Sequence, residues 1–404
     1  MLEINKEKRY LIKDGRFFPY LADTAWTLLQ RLMREEICFY LDKRKKQGFN
    51  AIQVSAISEL DGAKKENREG NCPFFNGNPE KPNPEFFSLV AFLADECEKR
   101  DIALVLLPTW GDKFNKKWGT GPEIFTPSNA AVYGKYIANV IGKRDNIIWM
   151  LGGDRPIETP IHRRIIDEMA RGIREGEAVY HLITYHPSGE ASSTDFLADA
   201  PYMDFHSLQS SHSFGGYKSA DMVISSIKKT SAPVLDAECF YEDFPIGFNT
   251  DWGYRFTPKD IRKRIYSNMI AGALGHTYGH QSVWCFNDEP DDEYLYSWKQ
   301  ALDRPAANQM RFINRFIENA DITDMQTSDI TVNVPSMADE KHLIFYTENN
   351  CPTFLDFKES HKTISVKWFN PENGVFTEPY TECGSHITLY NPFSEDGACI
   401  VSYI

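Results

Sequence analysis

The 404-residue sequence contains no apolar run near the ~20 residues that a membrane-spanning helix needs, which argues against an integral membrane protein. It also lacks an excess of positive charge, because 44 Lys and Arg stand against 57 Asp and Glu and the net charge is −13. Such a chain is a poor partner for nucleic acid or for an anionic membrane. The amino-terminal stretch has no apolar core of the kind found in secretory signals, which favours a cytoplasmic protein. A secreted protein trimmed of its leader is the alternative.

Cysteine pairs at metal-binding or redox spacing are missing as well. Eight cysteines occur, but none of them form a C-x-x-C pair, which argues against common zinc sites and thioredoxin-like motifs. Repeats at solenoid period and low-complexity tracts are also absent, which excludes the usual repeat architectures. The sequence therefore indicates an ordinary globular protein with reduced thiols and no cofactor.

What the sequence does contain is a series of short buried strands. The apolar run 147–151 is too short for a typical helix and is typical of a strand buried on both faces. Similar runs begin near residues 18, 51, 102, 146, 181, 203, 233 and 275, and helical patterns separate most of them. Eight strand–helix repeats predict an α/β fold, a (β/α)8 barrel over residues 1–321.

Local signals predict several other elements. Residues 8–17 are expected to form a hairpin around Asp14-Gly15, and the Gly-, Asn- and Pro-rich stretch 61–84 is expected to be a functional loop. Helices are predicted over 34–47, from Pro84, from Thr126-Pro127, from Thr257-Pro258 and over 305–319. The stretch 322–404 has short alternating segments (342–347, 353–357, 363–369, 386–390 and 399–403), which predict a small antiparallel β-sandwich.

The carboxyl ends of barrel strands carry the chemistry of this fold, so residues at those positions are candidates for a site. Asp154 follows strand four after Gly152-Gly153, and Glu238 ends strand seven. The other candidates are expected to bind substrate: Asp23, Trp26, Trp110, Arg155, His186, His206, Gln209, His280 and Trp284. Two carboxylates with tryptophans around them suit glycosidic-bond cleavage, because one must be protonated and the other ionised, and indole faces stack on sugar rings.

Less specific interpretations stay open for most of these residues. Asp23 is equally consistent with a structural carboxylate. Ordinary packing is the lesser alternative for Trp110 and Trp284, while each histidine taken singly is more consistent with a structural role than with ligand binding. Arg155 would suit an acidic sugar, since guanidinium binds carboxylate in a bidentate manner. A metal-dependent amidohydrolase is the main competing enzyme, but it normally carries His-x-His after strand one, where this sequence reads Asp23-Thr24-Ala25-Trp26. No metal ligands are therefore predicted.

Several segments together resemble the apiosidase-like glycoside hydrolases, glycoside hydrolase family 140. The resemblance lies in the segments Arg9–Ile12, Asp23–Trp26, Gly48–Gln53, Trp149–Asp154 and Glu238 with Gly275–Gly279. The stretch 368–374 resembles the small β-sandwich that follows the barrel in that family, which is sometimes labelled a collagen-binding domain. No single motif decides the matter, but their order and spacing are specific together.

The resemblance implies a barrel enzyme that acts on pectic rhamnogalacturonan II at an apiose–galacturonate linkage. By motif position, it implies Asp154 as the general acid/base and Glu238 as the nucleophile of a retaining mechanism. The expected partner is then an oligosaccharide. A carbohydrate-binding protein on an inactive barrel, or a glycosidase of another substrate class, is the alternative.

Overall fold

The computed structural model describes residues 1–5, 10–358 and 360–404. The chain begins with an antiparallel sheet of β1 (Leu2–Asn5), β2 (Tyr10–Lys13) and β3 (Arg16–Phe18). Asp14 and Gly15 turn the β2–β3 hairpin with φ of 51° and 75°, the left-handed conformation that Asp-Gly favours. The hairpin prediction is confirmed from Tyr10 onward, while Lys8 and Arg9 lie outside the described residues.

A parallel, curled sheet follows, as the sequence predicts. Within the described residues its eight strands are β4 (Tyr20–Thr24), β5 (Ala51–Ser55), β6 (Ala103–Leu107), β7 (Ile147–Gly152), β8 (Leu182–His186), β10 (His206–Gln209), β11 (Val234–Glu238) and β12 (Gly275–Tyr278), and a short β9 (Ala191–Ser192) pairs with β10. The sheet runs β12-β4-β5-β6-β7-β8, and β10 pairs with β11. Two backbone hydrogen bonds close the barrel where the sheets meet. The Asp204 N–H, just before β10, donates to the Ile183 carbonyl of β8, and the Leu274 N–H, just before β12, donates to the Val234 carbonyl of β11.

Helices surround this barrel. They are α1 (Leu28–Arg31), α2 (Arg34–Lys46), α3 (Pro84–Lys99), α4 (Pro127–Ile141), α5 (Pro160–Gly176), α6 (Ser219–Ile227), α7 (Pro258–Ile270), α8 (Trp298–Ala301), α9 (Pro305–Gln309) and α10 (Arg311–Ala320). The helices α3, α4, α5 and α7 each begin with proline after an Asn or Thr cap. Three of them, α3, α4 and α7, were predicted from the sequence, whereas α5 was not. The helix predicted over 305–319 is confirmed in position, but an interruption at Met310 divides it into α9 and α10. In the described parts of the chain no helix is long and apolar enough to cross a membrane.

The carboxy-terminal part is an antiparallel β domain. Its larger sheet contains β13 (Gln326–Ser328), β14 (Ser336–Ala338), β15 (His342–Thr347), β17 (Lys362–Asn370), β18 (Val375–Phe376), β19 (Tyr380–Gly384) and β21 (Gly397–Tyr403), and the smaller one β16 (Thr353–Asp356) and β20 (His386–Leu389). Alternate residues of β15 face opposite ways. Leu343 and Phe345 pack between the two sheets, while Ile344 and Tyr346 pack toward α7 and α10 of the barrel.

The two parts of the chain are joined by a buried ion pair as well as by apolar packing. Arg262 of α7 binds both carboxylate oxygens of Asp396 at 3.0 and 2.8 Å, and the Tyr346 hydroxyl donates to the same carboxylate. At the amino end of the barrel strands, Leu2 and Leu11 pack in one cluster with the barrel-interior residue Leu235. The amino-terminal sheet thus covers one end of the barrel and leaves the other, carboxyl end open.

Candidate active site

A cleft of about 640 Å³ opens at the carboxyl ends of the barrel strands. Asp154 and Glu238, predicted to lie on strands four and seven, both line it. The remaining lining residues are Trp26, Glu59, Trp110, Trp118, Gly189, Glu190, Gln209, Ser211, His212, Tyr241, Phe244, Phe248, Gln281, Trp284 and Glu293. The cleft therefore combines carboxylates with aromatic faces, as a carbohydrate site requires.

Asp154 is fixed by a sharp backbone turn after β7. Gly153 has φ of 120°, and a Cβ atom there would lie 2.8 Å from the Gly111 nitrogen. Asp154 itself is left-handed, with φ of 49°, a conformation that Asp tolerates better than most residues. Its carboxylate accepts hydrogen bonds from Trp118 Nε1 at 3.0 Å and from Arg155 at 2.8 Å. The turn thus aims the carboxyl group into the cleft.

Two histidines hold Glu238 at the end of β11. His186 Nε2 lies 2.9 Å from one carboxylate oxygen, and His212 Nε2 lies 2.9 Å from the other. Burial opposes ionisation of Glu238, but the imidazoles beside its two carboxylate oxygens lower its pKa to about 2. Glu238 is therefore an ionised carboxylate throughout the physiological pH range.

His186 links the two carboxyl-bearing residues. Its Nδ1 accepts the backbone N–H of Asp154 at 3.2 Å, and its Nε2 lies 2.9 Å from a carboxylate oxygen of Glu238. Burial raises the pKa of Asp154, and the nearby charge of Glu238 raises it further against the attraction of Arg155. One carboxyl group is thus biased toward the protonated form and the other toward the ionised form, the division of roles that acid–base catalysis uses.

Arg155 lies beneath Asp154 and does not line the cleft. Its fully buried guanidinium binds Asp154, Glu59 and the Lys116 carbonyl, and the Trp118 ring lies 4.7 Å from it. The guanidinium therefore has its donors engaged within the protein. The sequence-based expectation that Arg155 recognises an acidic sugar finds no support in this position; its visible effect is to position Asp154.

The tryptophans expected in the site are there. Trp26 donates from Nε1 to the Tyr241 hydroxyl at 2.7 Å, and its ring packs against Trp110 at 5.0 Å. Trp284 and Gln209, also expected, line the cleft as well. Their binding roles stay predictions.

Asp23, in contrast, lies outside the cleft. Along β4 the side chains alternate, and Asp23 faces the surrounding helices as Leu21 does. Its carboxylate is fully buried and binds Arg44 Nε and the Tyr40 hydroxyl, each at 2.5 Å. This is the structural alternative that the sequence left open.

His206 and His280 are not brought into the cleft either. The strand predicted over 203–208 begins in the structure at His206, three residues later than predicted. His206 is therefore the first residue of β10 and does not lie near its carboxyl end. Its Nδ1 lies 2.9 Å from the Ser193 hydroxyl. His280 binds Asp243 at 3.0 Å, and Asp243 in turn binds Arg304. Both histidines make structural contacts.

Several residues that line the cleft were not predicted from the sequence, among them Glu59, Trp118, His212 and Tyr241. They lie in loops after β5, β6, β10 and β11, where no strand or helix pattern marks a position. Only the length of the loops signals that they carry side chains of the site.

Residues 5–324 match the family model described as the apiosidase-like catalytic domain. The chain belongs to this family. As a member of the apiosidase-like family it is a glycoside hydrolase. The family resemblance found in the sequence is therefore confirmed. A comparison with curated proteins found no significant match.

Solved structures show the same fold over the whole chain. A glycoside hydrolase family 5 protein from Bacteroides vulgatus is 24% identical with a TM-score of 0.89, and the alignment covers 99% of this chain and 93% of that one. Another glycoside hydrolase is 23% identical, with a TM-score of 0.84 and coverage of 99% and 96%. At these identities the likeness shows the fold alone, including the carboxy-terminal β domain.

Proposed function

We propose that this apiosidase-like protein is a retaining glycoside hydrolase in which Glu238 is the nucleophile and Asp154 the general acid/base. The observation that carries the proposal is the pair of carboxyl groups that face one cleft in opposite environments. Glu238 has a pKa of about 2 between two histidines, while the pKa of buried Asp154 is raised. A nucleophile must be ionised and an acid must hold its proton at the same pH.

The proposed reaction has two steps. In the first, Asp154 gives its proton to the leaving oxygen, the glycosidic bond breaks, and a Glu238 oxygen bonds to the anomeric carbon. In the second, Asp154 takes a proton from water, which attacks the anomeric carbon and releases Glu238. His186 and His212 lower the basicity of Glu238, which makes it a better leaving group in the second step. Retention requires a carboxyl separation of roughly 5 to 5.5 Å.

We further propose a pectic oligosaccharide as substrate, with an apiosyl residue cleaved from galacturonate. Family membership supports this substrate, and the charge of the cleft limits how it binds. Among the described residues no Lys or Arg lines the cleft, while Glu59, Glu190 and Glu293 add to the two catalytic carboxyl groups. The neutral sugar therefore fits beside Glu238, and the uronate carboxylate must point toward solvent.

Sugar release from rhamnogalacturonan II oligosaccharides tests the proposal. Wild type should release sugar with retained anomeric configuration, seen by proton NMR in the first minutes, and Glu238→Ala should release none. Asp236→Asn is a matched control, because Asp236 lies two residues earlier on β11 but faces outward to Asn268 at 2.9 Å. Equal sugar release by wild type and Glu238→Ala would contradict the assignment of Glu238 as the nucleophile.

Two other results separate the alternatives. Binding of the oligosaccharides by wild type without any release would favour a carbohydrate-binding protein on an inactive barrel. Release of sugar from other furanosides or pyranosides, but not from the pectic oligosaccharides, would support the proposed mechanism and show that the substrate belongs to another class.

A further inference from the structure

An exposed group of aromatic side chains lies beside the cleft. Phe214 in the loop after β10, and Phe248 and Trp252 in the loop after β11, are 61%, 66% and 51% exposed. We call these three residues the aromatic ridge. Large aromatic side chains are usually mostly buried, and a contiguous exposed patch of them marks a binding surface.

The ridge is built on ordered contacts. The rings of Phe214 and Trp252 lie 6.1 Å apart, and a Cβ atom on Gly247 would lie 3.1 Å from the Trp252 ring. Trp252 therefore packs directly on the Gly247 backbone, and the Gly247 N–H donates to the His212 carbonyl at 3.1 Å. His212, one of the two histidines that contact Glu238, thus also contacts the loop that carries the ridge.

The ridge is continuous with the cleft. Phe248 lines the cleft and contacts Phe244 at 5.2 Å, and Phe244 stacks on His212 at 4.4 Å. On the other side, Ser213, the neighbour of Phe214, donates to the cleft residue Glu190. A ligand that fills the cleft next to Glu238 and continues outward on this side therefore meets the ridge.

We propose, resting on the glycosidase function proposed above, that the aromatic ridge is an extended subsite for sugar residues of an oligosaccharide beyond those at the scissile bond. Aromatic faces stack on the C–H faces of sugar rings, while the hydroxyl groups of the sugar stay in water. A protein bound on the ridge would cover the mouth of the cleft that Phe248 lines, which favours the sugar chain as its occupant. The enzyme is then selective for oligosaccharides over short glycosides.

Chain-length dependence tests the subsite. The substrates are rhamnogalacturonan II oligosaccharides separated by length, with aryl glycosides as the short series. In wild type, kcat/KM should rise with length. In Phe214→Ala and in Trp252→Ala, the ratio of kcat/KM for long over short substrates should fall about tenfold, or about 1.4 kcal/mol, mainly through KM. Tyr390→Ala is the control, because Tyr390 is 65% exposed but lies in the carboxy-terminal domain, and it should leave the ratio unchanged.

Calorimetry on an inactive background gives a second readout. Long oligosaccharides should bind Glu238→Gln protein about tenfold more tightly than they bind Glu238→Gln with Trp252→Ala. An unchanged length ratio in both ridge variants, with wild type active, would overturn the subsite and leave the glycosidase proposal intact. Failure of wild type to cleave or bind any of these glycans would count against both proposals.

Discussion

His212→Phe is the sharpest perturbation of the proposed nucleophile. Phenylalanine keeps the stacking on Phe244 but removes the Nε2 hydrogen bond to Glu238. The pKa of Glu238 falls from 4.5 to about 2 because the two histidines outweigh burial, and each unit corresponds to about 1.4 kcal/mol. A hydrogen bond to a charged group contributes about 1.5 to 3 kcal/mol. The loss of one histidine should therefore raise the pKa of Glu238 by about one to two units.

The assay is the pH profile of kcat/KM, which reports ionisations of the free enzyme. The ionised form of Glu238 is active, so a higher pKa removes activity from the acidic side. The acidic limb should move from about pH 2 to about pH 3 or 4. The basic limb, set by Asp154, should shift less, since His212 does not contact that residue.

His206→Gln serves as control, because His206 is buried but outside the cleft. Its profile should match wild type. An unchanged acidic limb in folded His212→Phe protein, judged by circular dichroism, would refute the account of how Glu238 is kept ionised. A shift of the basic limb alone would refute it as well.

Four further outcomes are expected. Trp118→Phe removes a hydrogen bond that lowers the pKa of Asp154, so the basic limb of kcat/KM should move up by as much as about one unit. Asp154→Ala should lose activity on natural linkages but keep much of it on aryl glycosides with activated leaving groups, which need no proton; equal losses on both would contradict its role as acid. Asp23→Ala leaves Arg44 buried without its partner and should lower the free energy of unfolding by about 3 to 5 kcal/mol in urea titrations. Gly153→Ala places a Cβ atom against the Gly111 backbone and should lower kcat severely in steady-state assays, whereas Gly70→Ala, at a surface turn with open space, should not.

The barrel was predictable because its strands are nearly continuous apolar runs. Residues 147–151 are buried on both faces, and such runs have few other structures open to them. The sandwich strands with alternating apolar residues were also found, for example β15. The short, polar β13 and β19 were not, because exposed edge strands carry little pattern.

The two carboxyl-bearing residues of the site were predictable because the end of a strand fixes each side chain. Asp154 and Glu238 directly follow or end buried strands, and both reach the cleft. Asp23 also lies at a strand end, but its parity with Leu21 turns it outward, and the buried Arg44 that receives it is distant in sequence. For His206, a three-residue error in the predicted start of the strand placed the side chain at the wrong end of the barrel.

The positions of side chains in loops depend on long-range packing, which no local sequence pattern indicates. Trp118 and His212 contact the two proposed catalytic residues, yet each lies in irregular backbone. Arg155 illustrates the converse. Its type suggested recognition of an acidic ligand, but burial and pairing with Glu59 and Asp154 give it a different role.

Covalent trapping tests the central claim most directly. Activated 2-deoxy-2-fluoro glycosides of the sugar that wild type releases should inactivate the enzyme with time and form a stable glycosyl-enzyme. Peptide mapping by mass spectrometry should place the added sugar on Glu238 and find none in Glu238→Gln protein. A label on another carboxylate, or hydrolysis of the natural substrate with inverted configuration, would contradict the account.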